Sequence, residues 1–269
     1  MTELLDLART LAVEAGDLAA RRRREGVEVA ATKSTVVDVV TAADREVEAL
    51  IRGRLAELRP GDGFYGEESG TADSATGLTW VVDPIDGTVN YLYGIPAYAV
   101  SIAVAEGDLG DDEAWQPIAG CVVNAATGEV FAAERGAGAH LDGAPLRIGD
   151  GVPLHLALIG TGFAYRPEIR AEQGAVVAGL LPRVRDIRRI GSAALDLCAV
   201  ATGRLDAYYE RTLNPWDHAA GTLIVREAGG VVTGLAGAAP GRRAALAGPR
   251  GLVAELEAAL VELGMTAAD

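Results

Sequence analysis

Lysine is nearly missing from this chain. Of 24 basic residues 23 are arginine, and Lys33 stands alone. Either one lysine survived by chance or position 33 needs a compact point charge where arginine would bring a wide fork. Cysteine is scarce too. Cys121 and Cys198 each lie in an apolar run, which excludes a disulfide framework and leaves buried free thiols as the expectation. The three histidines, His140, His155 and His218, have no ligand-like spacing, which argues against zinc. No apolar run reaches the roughly 18 residues of a membrane span. The start, Met1 to Asp6, lacks the basic-then-apolar layout of a signal peptide. The chain therefore reads as cytoplasmic, with no membrane partner. Positive charge is outweighed, 24 against 38 acidic residues for a net charge of -14. Holding a nucleic-acid backbone needs clustered Lys and Arg, so that class of partner is disfavoured.

What is present suits a globular protein. The 269 residues are 49% hydrophobic, enough for one large domain or two intimately packed ones. Apolar residues at helical spacing predict a helix over 4–24, ending in Arg21 to Arg24, whose charge complements the helix dipole. Thr41 reads as the N-cap of a helix over 42–58. A short strand at 64–66 leads into Glu67 and Glu68, and 69–77 reads as a polar loop. Strands at 97–105, 117–124, 129–133 and 139–141 suit an antiparallel sheet. A soft boundary falls near 149–153. Beyond it come strand 155–160, helix 167–181, strand 186–188, helix 192–202 capped by Ser192, and strand 207–210. Helix 216–228 stops at Gly229-Gly230, and strand 244–247 and helix 252–262 follow. The pattern predicts an α+β half over 1–150 followed by an α/β half over 151–269.

The most informative stretch is Asp83-Pro84-Ile85-Asp86-Gly87-Thr88, which follows the apolar run Leu78 to Val82. Pro84 discourages helix at Asp83, and Gly87 permits a sharp turn. Such a turn can aim two carboxylates and an intervening carbonyl at one point, an all-oxygen set suited to a hard cation such as Mg2+. The N–H groups of Gly87 and Thr88 can open a helix toward an anion. Two other acidic segments, Gly66-Glu67-Glu68 and Pro215-Trp216-Asp217, also stand at element ends. Each has a plain alternative: Glu67-Glu68 as a solvated loop, Asp83 and Asp86 as turn formers, Asp217 as a charge at a helix N-terminus.

Taken together and in this order, the segments resemble the inositol monophosphatase family of metal-dependent, lithium-sensitive sugar phosphatases. The resemblance runs from Lys33 to the end. It includes Asp38 to Asp44, Gly66 to Ser69, Trp80 to Asn90, Gly191 to Ala194, Asp206 to Glu210 and Pro215 to Gly221. It implies a layered α-β-α-β-α sandwich, a homodimer, and two to three Mg2+ ions. By that resemblance Glu67, Asp83 and the Ile85 carbonyl hold a first ion. Asp83, Asp86 and Asp217 hold a second, and a weaker third lies near Glu67. Thr88 orients the attacking water, Asp44 holds Thr88, and Lys33 offsets the carboxylate charge. Gly87 and Thr88 donate N–H groups to the phosphate. Ala193 and Glu210 meet the hydroxyls of the alcohol half, with Asp217 also at the substrate. Tyr65 departs from the aliphatic residue usual before Gly66, which implies a packing change. Arg183, Arg185, Arg188 and Arg189 read as surface ion pairs, with a phosphate or a partner subunit as the alternative.

The leading expectation is hydrolysis of inositol 1-phosphate. Histidinol phosphate, fructose 1,6-bisphosphate and 3'-phosphonucleotides remain as alternative phosphate-monoester substrates, and a scaffold protein with a macromolecular partner as the alternative of another class.

Overall fold

A computed structural model describes residues 3–27, 29–32 and 39–266. Lys33 and Asp38 lie outside the described residues. The first half runs α1 (Glu3–Glu25), β1 (Val29–Thr32), β2 (Val39–Thr41), α2 (Ala42–Leu58), β3 (Gly63–Gly66), β4 (Gly70–Ala72), β5 (Leu78–Asp86) and α3 (Thr88–Tyr93). It continues through β6 (Ala99–Gly107), β7 (Trp115–Asn124), β8 (Val130–Glu134), β9 (Gly138–Leu141) and β10 (Ala144–Pro145). The second half holds β11 (Leu158–Thr161), α4 (Pro167–Leu180), β12 (Asp186–Arg188), α5 (Ala193–Ala201) and β13 (Ala207–Glu210). Then come α6 (Pro215–Glu227), β14 (Val231–Thr233), β15 (Ala245–Gly248) and α7 (Arg250–Glu262).

Two sheets organise the molecule. The larger has the order β10-β9-β8-β7-β6-β5-β3-β4, the smaller β12-β11-β13-β15-β14. Alternation along the strands of the larger sheet sends side chains to two different cores. Val82, Val100, Ile102 and Cys121 face α1 and α2, whose buried stripe includes Leu11, Ala15, Val47 and Ile51. Val81, Ala103, Val122 and Phe131 face the other way, onto α5 and α6. Those helices also cover Tyr208, Ala245 and Ala247 of the smaller sheet. Its far face, with Ile159, Tyr209 and Leu246, packs on α4 and α7 through Leu180, Leu256 and Leu260. The order of layers is α-β-α-β-α, as the resemblance implied. Both cysteines are buried free thiols. No helix among the described residues is long and apolar enough to cross a membrane. We infer that the halves 1–150 and 151–269 fold as one unit, because the cluster between the sheets draws residues from both.

Three details differ from the sequence reading, and one pairing lies outside it. The segment 69–77 is not only loop: Gly70–Ala72 pairs with β3. The strands from β6 to β9 pair antiparallel as expected, while β3, outside that expectation, runs parallel to β5. Residues 154–156 form a 3-10 turn, so the strand expected from 155 begins at Leu158. Finally, the chain does not leave its strand at Val82. β5 continues to Asp86 through a bulge, because Asp83 pairs with Ser101 but Asp86 with Ala99.

Candidate active site

That bulge makes the site. Residues three apart on a regular strand point to opposite faces. One extra residue on β5 reverses the parity and returns Asp86 to the side of Asp83. Pro84 lacks an N–H, so it is tolerated where the ladder is already interrupted. Asp83 Oδ1 accepts the Ile85 N–H at 3.1 Å, which braces the bulge from within. The parallel register adds Glu67: Gly66 pairs with Val82, so Glu67, the residue after β3, comes beside Asp83. Gly87 then takes φ +91 at the cap of α3, and a Cβ there would stand 2.8 Å from the Ala97 carbonyl oxygen. Only glycine fits that conformation and that approach.

The second half closes the site. Asp217 is the third residue of α6, and its Oδ2 accepts the Asn214 N–H at 2.6 Å, half of a capping box. Ser192 caps α5, but its hydroxyl also donates to Asp86 Oδ2 at 2.6 Å, joined there by the Ala194 N–H at 2.7 Å. A cleft of about 230 Å³ is lined by Glu67, Asp83, Ile85, Asp86, Gly87, Thr88, Ala193, Glu210 and Asp217, with Phe163, Tyr165, Arg189 and Trp216 around them. A cavity of about 430 Å³ between α4 and residues 263–266 holds Glu172 and Glu210 as its acids, and one of about 620 Å³ sets Asp111, Asp112 and Glu113 against Arg242 and Arg243.

Asp44 stands behind the cleft. Its Oδ2 accepts the Thr41 N–H at 2.8 Å and the Thr41 hydroxyl at 2.5 Å. The Thr88 hydroxyl lies 3.3 Å from Asp44 Oδ1 and 3.1 Å from the Ile85 carbonyl oxygen, and can donate to either. Glu210, also in the cleft lining, accepts the Tyr208 hydroxyl at Oε2 at 2.5 Å.

The electrostatics are those of crowded like charges. Burial pushes the Asp83 carboxyl well above its usual range, and Glu67, Asp86 and Asp217 push it further. Asp217 moves the same way for the same causes: burial, then Glu67 and Asp86. Burial carries Asp86 up to about 6 despite its bonds to Ser192 and Ala194. Burial also brings Asp44 to about 6 and Glu210 to about 7. Buried carboxylates raised by one another lack positive charge, and an all-oxygen donor set of this kind fits a hard divalent cation. The side chains are not closed into a finished cage: among the described residues no three acidic, histidine or cysteine groups converge as one. The fit rests on donor type, burial and unbalanced charge.

The inositol monophosphatase family model matches residues 1–266. The chain belongs to the inositol monophosphatase family. As a member it is a metal-dependent phosphatase of phosphate monoesters. It is 48% identical over 248 residues to the inositol-1-monophosphatase of Mycobacterium leprae, covering 86% of this chain and 83% of that protein. The solved structure of Mycobacterium tuberculosis SuhB superimposes with a TM-score of 0.81 at 46% identity, covering 97% of this chain and 96% of that one. The chain is also 37% identical over 239 residues to a Vibrio cholerae protein named Nus factor SuhB, covering 88% of this chain and 87% of that protein.

Sequence reasoning brought the acids of this family member together but missed several neighbours. Ser192 caps α5 as expected and is in addition a partner of Asp86. Arg189 belongs to the cleft wall, while Arg183 pairs with Glu262, Arg188 with Asp186, and Arg185 donates to the Leu156 carbonyl. Tyr65 meets the Trp216 ring edge-on at 5.1 Å, the packing role implied by its departure from the family pattern.

Proposed function

We propose that this phosphatase hydrolyses myo-inositol 1-phosphate, with Mg2+ held by Glu67, Asp83, Asp86, Asp217 and the Ile85 carbonyl. The observation that carries the reading is one cleft lined by four acidic side chains, the Gly87-Thr88 turn and Glu210. Bound cations would supply the positive charge that lowers the pKa of water and offsets the phosphoryl oxygens. Two to three ions fit the charge present, with the weakest near Glu67.

The protein's own groups do the rest. Thr88 spends its proton on Asp44 or on the Ile85 carbonyl, so its lone pairs remain to accept a hydrogen from water and orient it. The Gly87 and Thr88 N–H groups suit phosphate oxygens. Glu210 is pinned by Tyr208 and, when ionised, accepts hydrogen bonds from paired hydroxyls of a polyol. Ala193 leaves room beside it. The name of the M. leprae relative supports the inositol assignment, and Glu210 gives it a physical reason.

Thr88→Ala is expected to cut kcat by roughly a hundredfold with KM within about threefold, since it removes a group that acts on the nucleophile. Steady-state kinetics at saturating Mg2+ check this, and an unchanged kcat removes Thr88 from the mechanism. The substrate reading is tested by phosphate release from inositol 1-phosphate, histidinol phosphate, fructose 1,6-bisphosphate and a 3'-phosphonucleotide, each with and without lithium. The highest kcat/KM on inositol 1-phosphate, suppressed by lithium, is expected. A tenfold preference for another substrate, about 1.4 kcal/mol of transition-state binding, overturns the inositol assignment.

The likeness to the protein named Nus factor SuhB supports a second reading, a partner-binding role alongside catalysis. A partner captured equally by the parent and by Asp217→Asn protein would support it. The homodimer and the cytoplasmic location are carried forward as part of this proposal, the dimer being checked by light scattering.

A further inference from the structure

Helix α2 carries a second buried acid one turn beyond Asp44. Glu48 is 2% exposed, and its Oε2 accepts the backbone N–H of Glu68 at 2.8 Å. That N–H belongs to the turn that leaves β3 and carries Glu67. Nearby backbone makes room for the carboxylate: a Cβ on residue 66 would stand 2.5 Å from Glu48 Oε2 and 2.7 Å from its Cδ, so Gly66 is what lets Glu48 in. A spacing of four places Asp44 and Glu48 on one helix face. Asp44 accommodates the Thr88 hydroxyl, and Glu48 holds the Glu67-Glu68 turn. One rigid helix thereby registers two segments that are 21 residues apart in sequence, Glu67 and Thr88.

We propose that Glu48 is a positioning residue, which fixes the turn against α2 and so sets where Glu67 stands beside Asp83. It rests on the reading above only in taking Glu67 as a cation ligand. An acceptor oxygen that reaches the buried Glu68 N–H ties the turn to α2, and losing it leaves that donor unpaired and frees the turn. Partners of ligands typically govern metal affinity by 10- to 100-fold, so the effect belongs in cation affinity and not in the chemical step.

Three variants separate reach from charge. Glu48→Gln keeps an acceptor oxygen at the same distance without the charge. Glu48→Asp keeps the charge but is one methylene short. Glu48→Ala removes both. Mn2+, which favours the same oxygen ligands, is titrated into substrate-free protein and followed by its free-ion electron paramagnetic resonance signal. The Mg2+ half-saturation and kcat at saturating Mg2+ are then measured. Glu48→Gln is expected within about threefold of the parent in every measure. Glu48→Asp and Glu48→Ala should weaken Mn2+ binding and raise the Mg2+ half-saturation by about tenfold or more, with kcat at saturating Mg2+ kept within about threefold. Parental Mn2+ affinity in Glu48→Asp overturns the proposal, as does a Gln variant as weak as the Asp variant. If Glu48→Ala fails to fold, the Gln and Asp pair still decides. The Mn2+ titration uses no substrate, so a parent that binds Mn2+ but spares inositol 1-phosphate defeats the proposed activity and leaves this inference standing.

Discussion

Asp83→Asn is expected to lower turnover by roughly three orders of magnitude, about 4 kcal/mol of transition-state stabilisation, while raising the melting temperature of the metal-free protein. Both effects come from the same charge. Asp83 is 2% exposed, and burial together with Glu67, Asp86 and Asp217 opposes its ionisation. Asparagine has nearly the same shape and can keep the oxygen that accepts the Ile85 N–H. It removes a buried charge that nothing balances until a cation arrives. With a cation held there as proposed, that charge would be one of its ligands, and its loss would weaken the centre. The melting-temperature increment from Mg2+ should therefore shrink in the variant. Turnover at saturating Mg2+ and melting curves with and without the ion measure both halves. Parental turnover would remove Asp83 from the centre. A lower metal-free melting temperature would show that crowding of the acids is not the cost argued here.

The metal-free protein should lose stability as pH rises from about 4 to about 7, and Mg2+ should restore it increasingly across that range. Asp44 is raised from 3.8 to about 6 and Glu210 from 4.5 to about 7. Within those windows the folded chain holds protons that the unfolded chain has released, so stability falls with rising pH. Their contribution is fully present below about 4 and gone above about 7. Each shifted group accounts for about 3 kcal/mol at most, and Asp83 and Asp217 act in the same direction. Carboxylates held low by arginine partners, such as Asp62 beside Arg59 and Glu46 beside Arg22, work oppositely. Their stabilisation is lost only as pH falls through and below about 4, outside this window. A cation needs the deprotonated acids. At a hundredfold excess over its dissociation constant it adds about 2.7 kcal/mol. Melting curves from pH 4 to 8 with a chelator or with Mg2+ provide the test. A metal-free melting temperature that climbs toward pH 7 would contradict the sign.

The helices were legible because their signals are local. Thr41 before Ala42 and Ser192 before Ala193 gave the starts of α2 and α5 directly, and Gly229 gave the stop of α6. The acids of the site were legible because motif spacing survives without knowledge of pairing. What the sequence could not show depends on partners far along the chain. The bulge in β5 exists only against Ser101 and Ala99 of β6. The parallel pairing of β3 with β5 depends on β4 turning back first. The bond from Ser192 to Asp86 spans 106 positions. Glu48 did leave a local trace. Asp44 and Glu48 interrupt the otherwise apolar stripe of Ala43, Val47, Ile51 and Leu55, and acids on the buried side of a helix call for a partner.

Asp86 and Asp217 are each tied to the first turn of a middle-layer helix, Asp86 to α5 and Asp217 to α6. Their separation therefore follows how closely α5 packs on α6, where Leu197 lies over Gly221. Mg2+ takes oxygens at about 2.0–2.1 Å and Ca2+ at about 2.3–2.6 Å. An ion held between these two aspartates would be gauged by the spacing of two packed helices. Uncharged residues well away from the cleft then act as the jaws of a calliper for ionic radius.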